Sequence, residues 1–293
     1  MNRSHPWLML LWLLEAFCPG QALAYTPEIH QQLTFMAARE LNRCAQVDTQ
    51  LQRLSALDTR YIVKANVAQA DSNFFVRSFR WDYYNRQDQQ GKSALWLVET
   101  RFHDAYQELA ASLNAPNDRL AQLRHLGRLL NYLQKGSSPA HVVPVFTGRW
   151  WRFSMSDRFD RYPVDAAAVE RSIGTGCDWL RLAGEDDAEQ SYAGLLREVA
   201  DQTLAAVAAP IEGLPTTWQA YWQLASAADE FGEYGPAGNA FGERTEFRCE
   251  RRRCLLLQDD PLYADFARQR HVAAVLISAR AMLLMQAAAP ALP

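Results

Sequence analysis

The chain has 293 residues, 49% hydrophobic and 22% charged, and its 30 basic and 33 acidic side chains leave a formal net charge of −3. That balance provides for a sizeable core and excludes general disorder. It also excludes the basic footprint of a duplex nucleic-acid binder and a long basic tail for an anionic membrane.

Residues 1–24 read as an export signal. Arg3 gives a positive start, Trp7 to Phe17 an apolar run, Pro19 and Gly20 a break, and Ala22-Leu23-Ala24 a small-residue cleavage site. The apolar run is too short for a permanent span, and Glu15 interrupts it. Phe17 before Cys18 argues against a lipid-attachment site. The expectation is a periplasmic or secreted protein beginning at Tyr25, with no transmembrane segment after processing. Cys44, Cys177, Cys249 and Cys254 then remain, an even number that favours disulfides in an oxidising compartment.

Thr26-Pro27-Glu28 predicts a capped helix start, followed by Ile29, Leu33, Met36, Ala37 and Leu41 at helical spacing. Further helical patterns run from Asp58 to Gln69, Ser93 to Leu113, Asp118 to Gln134, Asp187 to Ala208, Thr216 to Glu230 and Pro261 to Gln286. His103 and His125 are expected to be solvated, and His271 to pack near the end of the last helix. Thr245 to Cys249 and Cys254 to Leu257 read as two extended arms. Closing that hairpin with Cys249–Cys254 leaves Cys44–Cys177 as the other pair. Without repeats or long linkers, residues 25–293 read as one all-α, multi-helix domain with a small hairpin.

The most informative stretch runs from Leu126 to His141. Gly127, Asn131 and Lys135 recur every four residues on one helix face, and Ser137-Ser138-Pro139 turns the chain back to His141. The spacing of 131, 135 and 141 resembles the histidine, aspartate, histidine motif of the zinc-dependent phospholipase C and zinc nuclease superfamily. Leu-Gly-x-Leu-Leu and Tyr-Leu-Gln around it are similar too. Tyr25 and His30 resemble the aromatic first residue and nearby histidine of that family. Ala70-Asp71 resembles its early aspartate ligand, and Asp71 is the candidate catalytic carboxylate. Asp82 stands where the family has histidine. Ser156 and Asp160 resemble its final histidine and carboxylate pair, with serine in the histidine's place.

The departures bear on activity. Asn131, Ser156 and Asp82 replace imidazoles, and Lys135 stands where the resemblance implies a metal-bridging carboxylate. A single positive charge about 4 Å from a divalent ion is repelled by roughly 8 kcal/mol at an effective dielectric near 20. That is comparable with the about 10–16 kcal/mol by which a structural zinc site binds. The expectation is therefore no zinc or partial zinc, with Tyr25, His30, His141 and Asp160 as the remaining donors. If Asp71, Asp82 and Asp160 gather there, Lys135 would neutralise them as a buried salt-bridge network.

The implied function is a degenerate relative that binds a small molecule, lipid or protein. The alternative is an active phosphodiester or phospholipid hydrolase with a remodelled metal site. Gly148 to Phe153, with Trp150 and Trp151 between arginines, reads as core or interface packing, although it could also stack a base or meet a lipid head group. Phe231 to Gly242 reads as a structured glycine-rich loop near the site.

Overall fold

The computed structural model describes residues 25–48, 51–71, 83–84, 102–115, 118–143, 145, 148–149, 152–153, 157–180, 188–225 and 232–288. Helices dominate them: α1 Pro27–Cys44, α2 Ala56–Asp71, α3 Phe102–Asn114, α4 Arg119–Gly136 and the single turn α5 Pro139–Val142. Then follow α6 Ala166–Ile173, α7 Ala188–Ala208 and α8 Pro261–Ala288. Short antiparallel pairs join β1 Gly148–Arg149 to β2 Arg152–Phe153, β3 Trp222–Gln223 to β4 Glu233–Tyr234, and β5 Thr245–Cys249 to β6 Arg252–Leu256. The expected export signal, Asp82, Ser156, Trp150, Trp151 and the start of the Ser93 helix lie outside the described residues.

α1 starts as its sequence dictates. The Ile29 amide donates to the Thr26 hydroxyl, Pro27 occupies the first turn, and Glu28 faces the positive end of the helix dipole. Ile29, Leu33, Met36, Ala37 and Leu41 are all buried. α4 is capped by Asp118, which accepts from the Ala121 amide at 2.7 Å. It then runs through the interior against α2, α3, α7 and α8. Gly127 permits a close approach to α2: a Cβ there would stand 2.3 Å from the Ile62 carbonyl oxygen and 2.7 Å from Ala65 Cβ.

The segment from Thr216 to Glu230, expected to be helical, is not helical over its described part. After a 3-10 turn at Trp218–Ala220 the chain extends into β3. The carbonyls that would continue a helix hold the glycine-rich loop instead: Ala237 donates to Ala220 at 2.8 Å and Gly235 to Tyr221 at 3.2 Å. Trp218, Trp222, Phe241, Tyr263 and Phe266 then form one aromatic cluster, in which Trp218 and Phe266 centroids lie 4.5 Å apart. The low helix propensity of Thr and Trp gives the local sequence little with which to oppose that packing.

The hairpin follows its pattern, with Thr245, Phe247 and Cys249 inward and Glu246 and Arg248 outward. Cys249 meets Cys254, and Cys44 at the end of α1 meets Cys177, with Cα separations of 5.9 and 5.8 Å, inside the range a disulfide spans. The solvated expectation for His103 is corrected, and His271 packs as expected but farther from the end of its helix. His103 is buried against Tyr84, 5.0 Å between ring centroids, and His271 is buried in the first half of α8. Among the described residues no helix is long and apolar enough to cross a membrane.

Candidate functional site

Three elements bring the sequence-predicted residues inward. Tyr25 precedes the α1 cap and is fully buried, with its ring edge-on to His30 and against Phe159 and His271. The Ser137 hydroxyl donates to the Gln134 carbonyl at 2.7 Å, so the Tyr25 hydroxyl donates to Ser137 across 3.1 Å. Burial pushes the Tyr25 phenol well above its ordinary range. The Thr26 amide donates to the Asp160 carbonyl at 3.2 Å, tying the start of α1 to the turn at Phe159–Arg161.

His30, one turn into α1, is at the centre of a closed polar network. Its Nδ1 lies 2.6 Å from Gln134 Oε1, an atom that can only accept, so Nδ1 carries the proton. This tautomer is assigned from its partners. Nε2 is therefore the acceptor, and Asn131 Nδ2 donates to it at 3.2 Å. Burial is the main cause that takes the His30 pKa down to about 3; the Gln134 bond opposes the shift, and the charges of Lys135 and His141 add to it.

The network extends through side chains that the sequence did not single out. Asn66 on α2 accepts from Asn131 at 3.1 Å and donates to Thr34 at 2.8 Å and to Gln134 Oε1 at 3.1 Å. Gln134 donates to Thr34 at 3.0 Å and to Ser278 on α8 at 3.3 Å, and Thr34 donates to the His30 carbonyl at 2.8 Å. All six side chains are fully buried. Four helices are thus joined by amides, hydroxyls and one neutral imidazole, with Asn131 Oδ1 the one atom of the network left without a partner. Thr34 lies four residues after His30, and Gln134 three after Asn131, so helical spacing could have found them. No local signal marks Asn66 or Ser278.

Lys135 is also buried, 4% exposed, with its ammonium 5.3 Å from the centre of the Tyr132 ring. His141 and Asp160 form a second pair, Nε2 to Oδ2 at 3.8 Å, and Ser138 donates to Asp160 Oδ1 at 2.6 Å. Asp160 is thus held by Ser138 and His141, while the other two carboxylates of the expected salt-bridge network fall among the side chains not described. Asp71 closes α2, and its side chain lies outside the described residues, as do Asp82 and Ser156. The sequence reading passed over Asp157. It is buried and accepts from Trp222 Nε1 at 2.9 Å, the Tyr234 hydroxyl at 2.8 Å and the Phe159 amide at 2.9 Å. Tyr234 brings the glycine-rich loop against the turn that carries Asp160.

His30 does not fit the zinc that the family resemblance implies. Zinc needs an imidazole lone pair or an anionic oxygen, whereas the His30 lone pair receives the Asn131 amide and a lysine charge bears on the same ring. Among the described residues no three His, Cys, Asp or Glu side chains gather as a metal set. An open groove of about 1170 Å³ lies elsewhere, along the outer side of α1 beside Phe35, Arg39 and Glu170, and none of the predicted site residues lines it. Comparison of the chain with protein-family models, with curated proteins and with solved structures finds no match.

Proposed function

We propose that this chain is an exported, catalytically degenerate relative of the zinc phospholipases C and zinc nucleases, and that it acts by binding a ligand or partner. The observation that carries the reading is the state of His30. Both ring nitrogens are committed to protein amides, and burial holds the imidazole neutral far below its ordinary pKa. A metal at Nε2 would have to displace the Asn131 amide, which would keep Asn66 but lose one buried hydrogen bond of about 0.5–1.5 kcal/mol, before any repulsion from Lys135. In this reading His30 and Asn131 now hold α1 to α4, where the resemblance implies ligands. The spacing of positions 131, 135 and 141 supports the kinship, and the identity of the residues there supports the loss of chemistry.

The alternative keeps one metal at His141 and Asp160, whose side chains already approach one another. Two protein donors leave at least half of a tetrahedral zinc shell to be filled. Metal analysis of protein purified without chelator separates the readings. The degenerate reading expects far less than one zinc per chain and no chelator-sensitive cleavage of phospholipid or single-stranded nucleic acid. Stoichiometric metal with hydrolysis lost on chelation would establish the alternative and overturn the first.

A further inference from the structure

We infer that the β5–β6 hairpin is a docking element for an anionic phospholipid surface. The inference is independent of the polar network around His30. The inner face of the hairpin is committed to the core: Phe247, Cys249, Cys254 and Leu256 are buried, and the Thr245 hydroxyl donates to the Ala240 and Glu243 carbonyls at 3.1 and 2.9 Å. Its orientation on the molecule is therefore fixed. Its outer face and tip carry Arg248, Arg251, Arg252, Arg253, Leu255 and Leu257, all exposed.

Two features set this patch apart from an ordinary solvated strand. The register places Arg248 directly opposite Arg253, a like-charge pairing that weakens a hairpin. Glu246 relieves part of it at 3.0 Å, yet the Arg253 side chain stays 87% exposed. Four arginines against two glutamates make the segment from Thr245 to Leu257 locally positive in a chain that is negative overall. Beside the arginines stand Leu255 and Leu257, 43% and 56% exposed, two of the five large apolar side chains that the described residues leave in water.

An anionic bilayer uses both features at once. Guanidinium groups pair bidentately with lipid phosphates, and adjacent leucines enter the boundary between head groups and acyl chains. A soluble polyanion without apolar surface would use the arginines and leave the leucines in water. The charge sits on a folded hairpin whose inner face is anchored, so the two leucines and the arginine tip are presented together without ordering a flexible tail.

The test is co-sedimentation of the purified chain with vesicles of phosphatidylcholine alone or with phosphatidylglycerol added. Binding should require phosphatidylglycerol and weaken as salt is raised. Arg251→Glu with Arg252→Glu should lower the affinity about tenfold or more. Leu255→Ser with Leu257→Ser should lower it several-fold and remove the part that survives high salt. All four positions are exposed, so both variants should melt like wild type. Failure of wild type to bind, or equal binding by wild type and both variants, overturns the inference. Loss of binding in the arginine variant only, with wild type equally retained by a soluble polyanion such as heparin, overturns the lipid assignment in favour of an acidic macromolecule.

Discussion

At His30 a single acceptor decides what the imidazole can do. Gln134 Oε1 has no proton to give, so the ring donates through Nδ1 and its lone pair points at the Asn131 amide. Asn131→Ala would remove the donor to His30 and to Asn66 together, and we expect a loss of about 1–3 kcal/mol in urea denaturation. An unchanged midpoint would mean that the network contributes nothing to stability. The neighbouring lysine makes a separate expectation. Its charge is one of the causes that lower the His30 pKa, so Lys135→Met should move that pKa upward, while burial, the larger cause, keeps it below 6.5. An NMR titration of the His30 ring reads this directly, and no movement would show that the ammonium does not act on the ring. The spacing of 131, 135 and 141 was legible in the sequence because one helix and one turn carry it. The buried partners were less so, since Asn66 and Ser278 arrive from helices remote in sequence, and hydrogen bonding between remote amides leaves no period in the chain.

Among elements, α1 and α4 were legible because a cap and an apolar stripe mark each, and the hairpin because its arms alternate inward and outward. The segment after Thr216 was not, because backbone bonds from the glycine-rich loop override its local pattern. The crossing of α2 and α4 makes the sharpest test at this scale. On propensity alone Gly127→Ala should stabilise α4 by up to about 1 kcal/mol. The new methyl would instead meet backbone at 2.3 Å, which a side-chain rotation cannot relieve. Overpacking of that kind costs about 1–3 kcal/mol, so a lowered melting temperature is expected, and a raised one would show that α2 gives way freely. The two cysteine pairs differ in the loop they close. Cys44 and Cys177 are 133 residues apart, Cys249 and Cys254 only 5. On loop entropy the first contributes about 5 kcal/mol and the second about 2 kcal/mol. Paired alanine replacements should therefore lower stability more at Cys44 and Cys177, and the reverse order would point to a denatured chain that already holds α1 near Cys177.

Over the whole molecule, the helices close around imidazoles that they keep neutral, and this ties stability to pH. Burial takes His30 down to about 3 and His271 to about 4, from an ordinary 6.5. His271 packs among Tyr25 and Phe159, with its Nε2 left without a partner. As pH falls below 6.5 the unfolded chain takes up a proton at each ring while the folded chain does not. The stability that goes with the neutral rings is therefore complete above pH 6.5 and lost progressively on acidification, down to about pH 4 for His271 and about pH 3 for His30. Each ring contributes a slope of up to about 1.4 kcal/mol per pH unit, so together they give at most about 2.7 kcal/mol per unit between roughly pH 6 and pH 4. Carboxylates at their ordinary values add little over the upper half of that range, because they protonate nearer pH 4. Urea midpoints measured in steps from neutral to about pH 5 should therefore fall steeply. His271→Phe, which replaces the ring by one that cannot titrate inside an aromatic surround, should remove about half of the slope. A slope unchanged in that variant would mean that His271 protonates as readily in the folded chain as in the unfolded one, and that the helices around it open to water before they unfold.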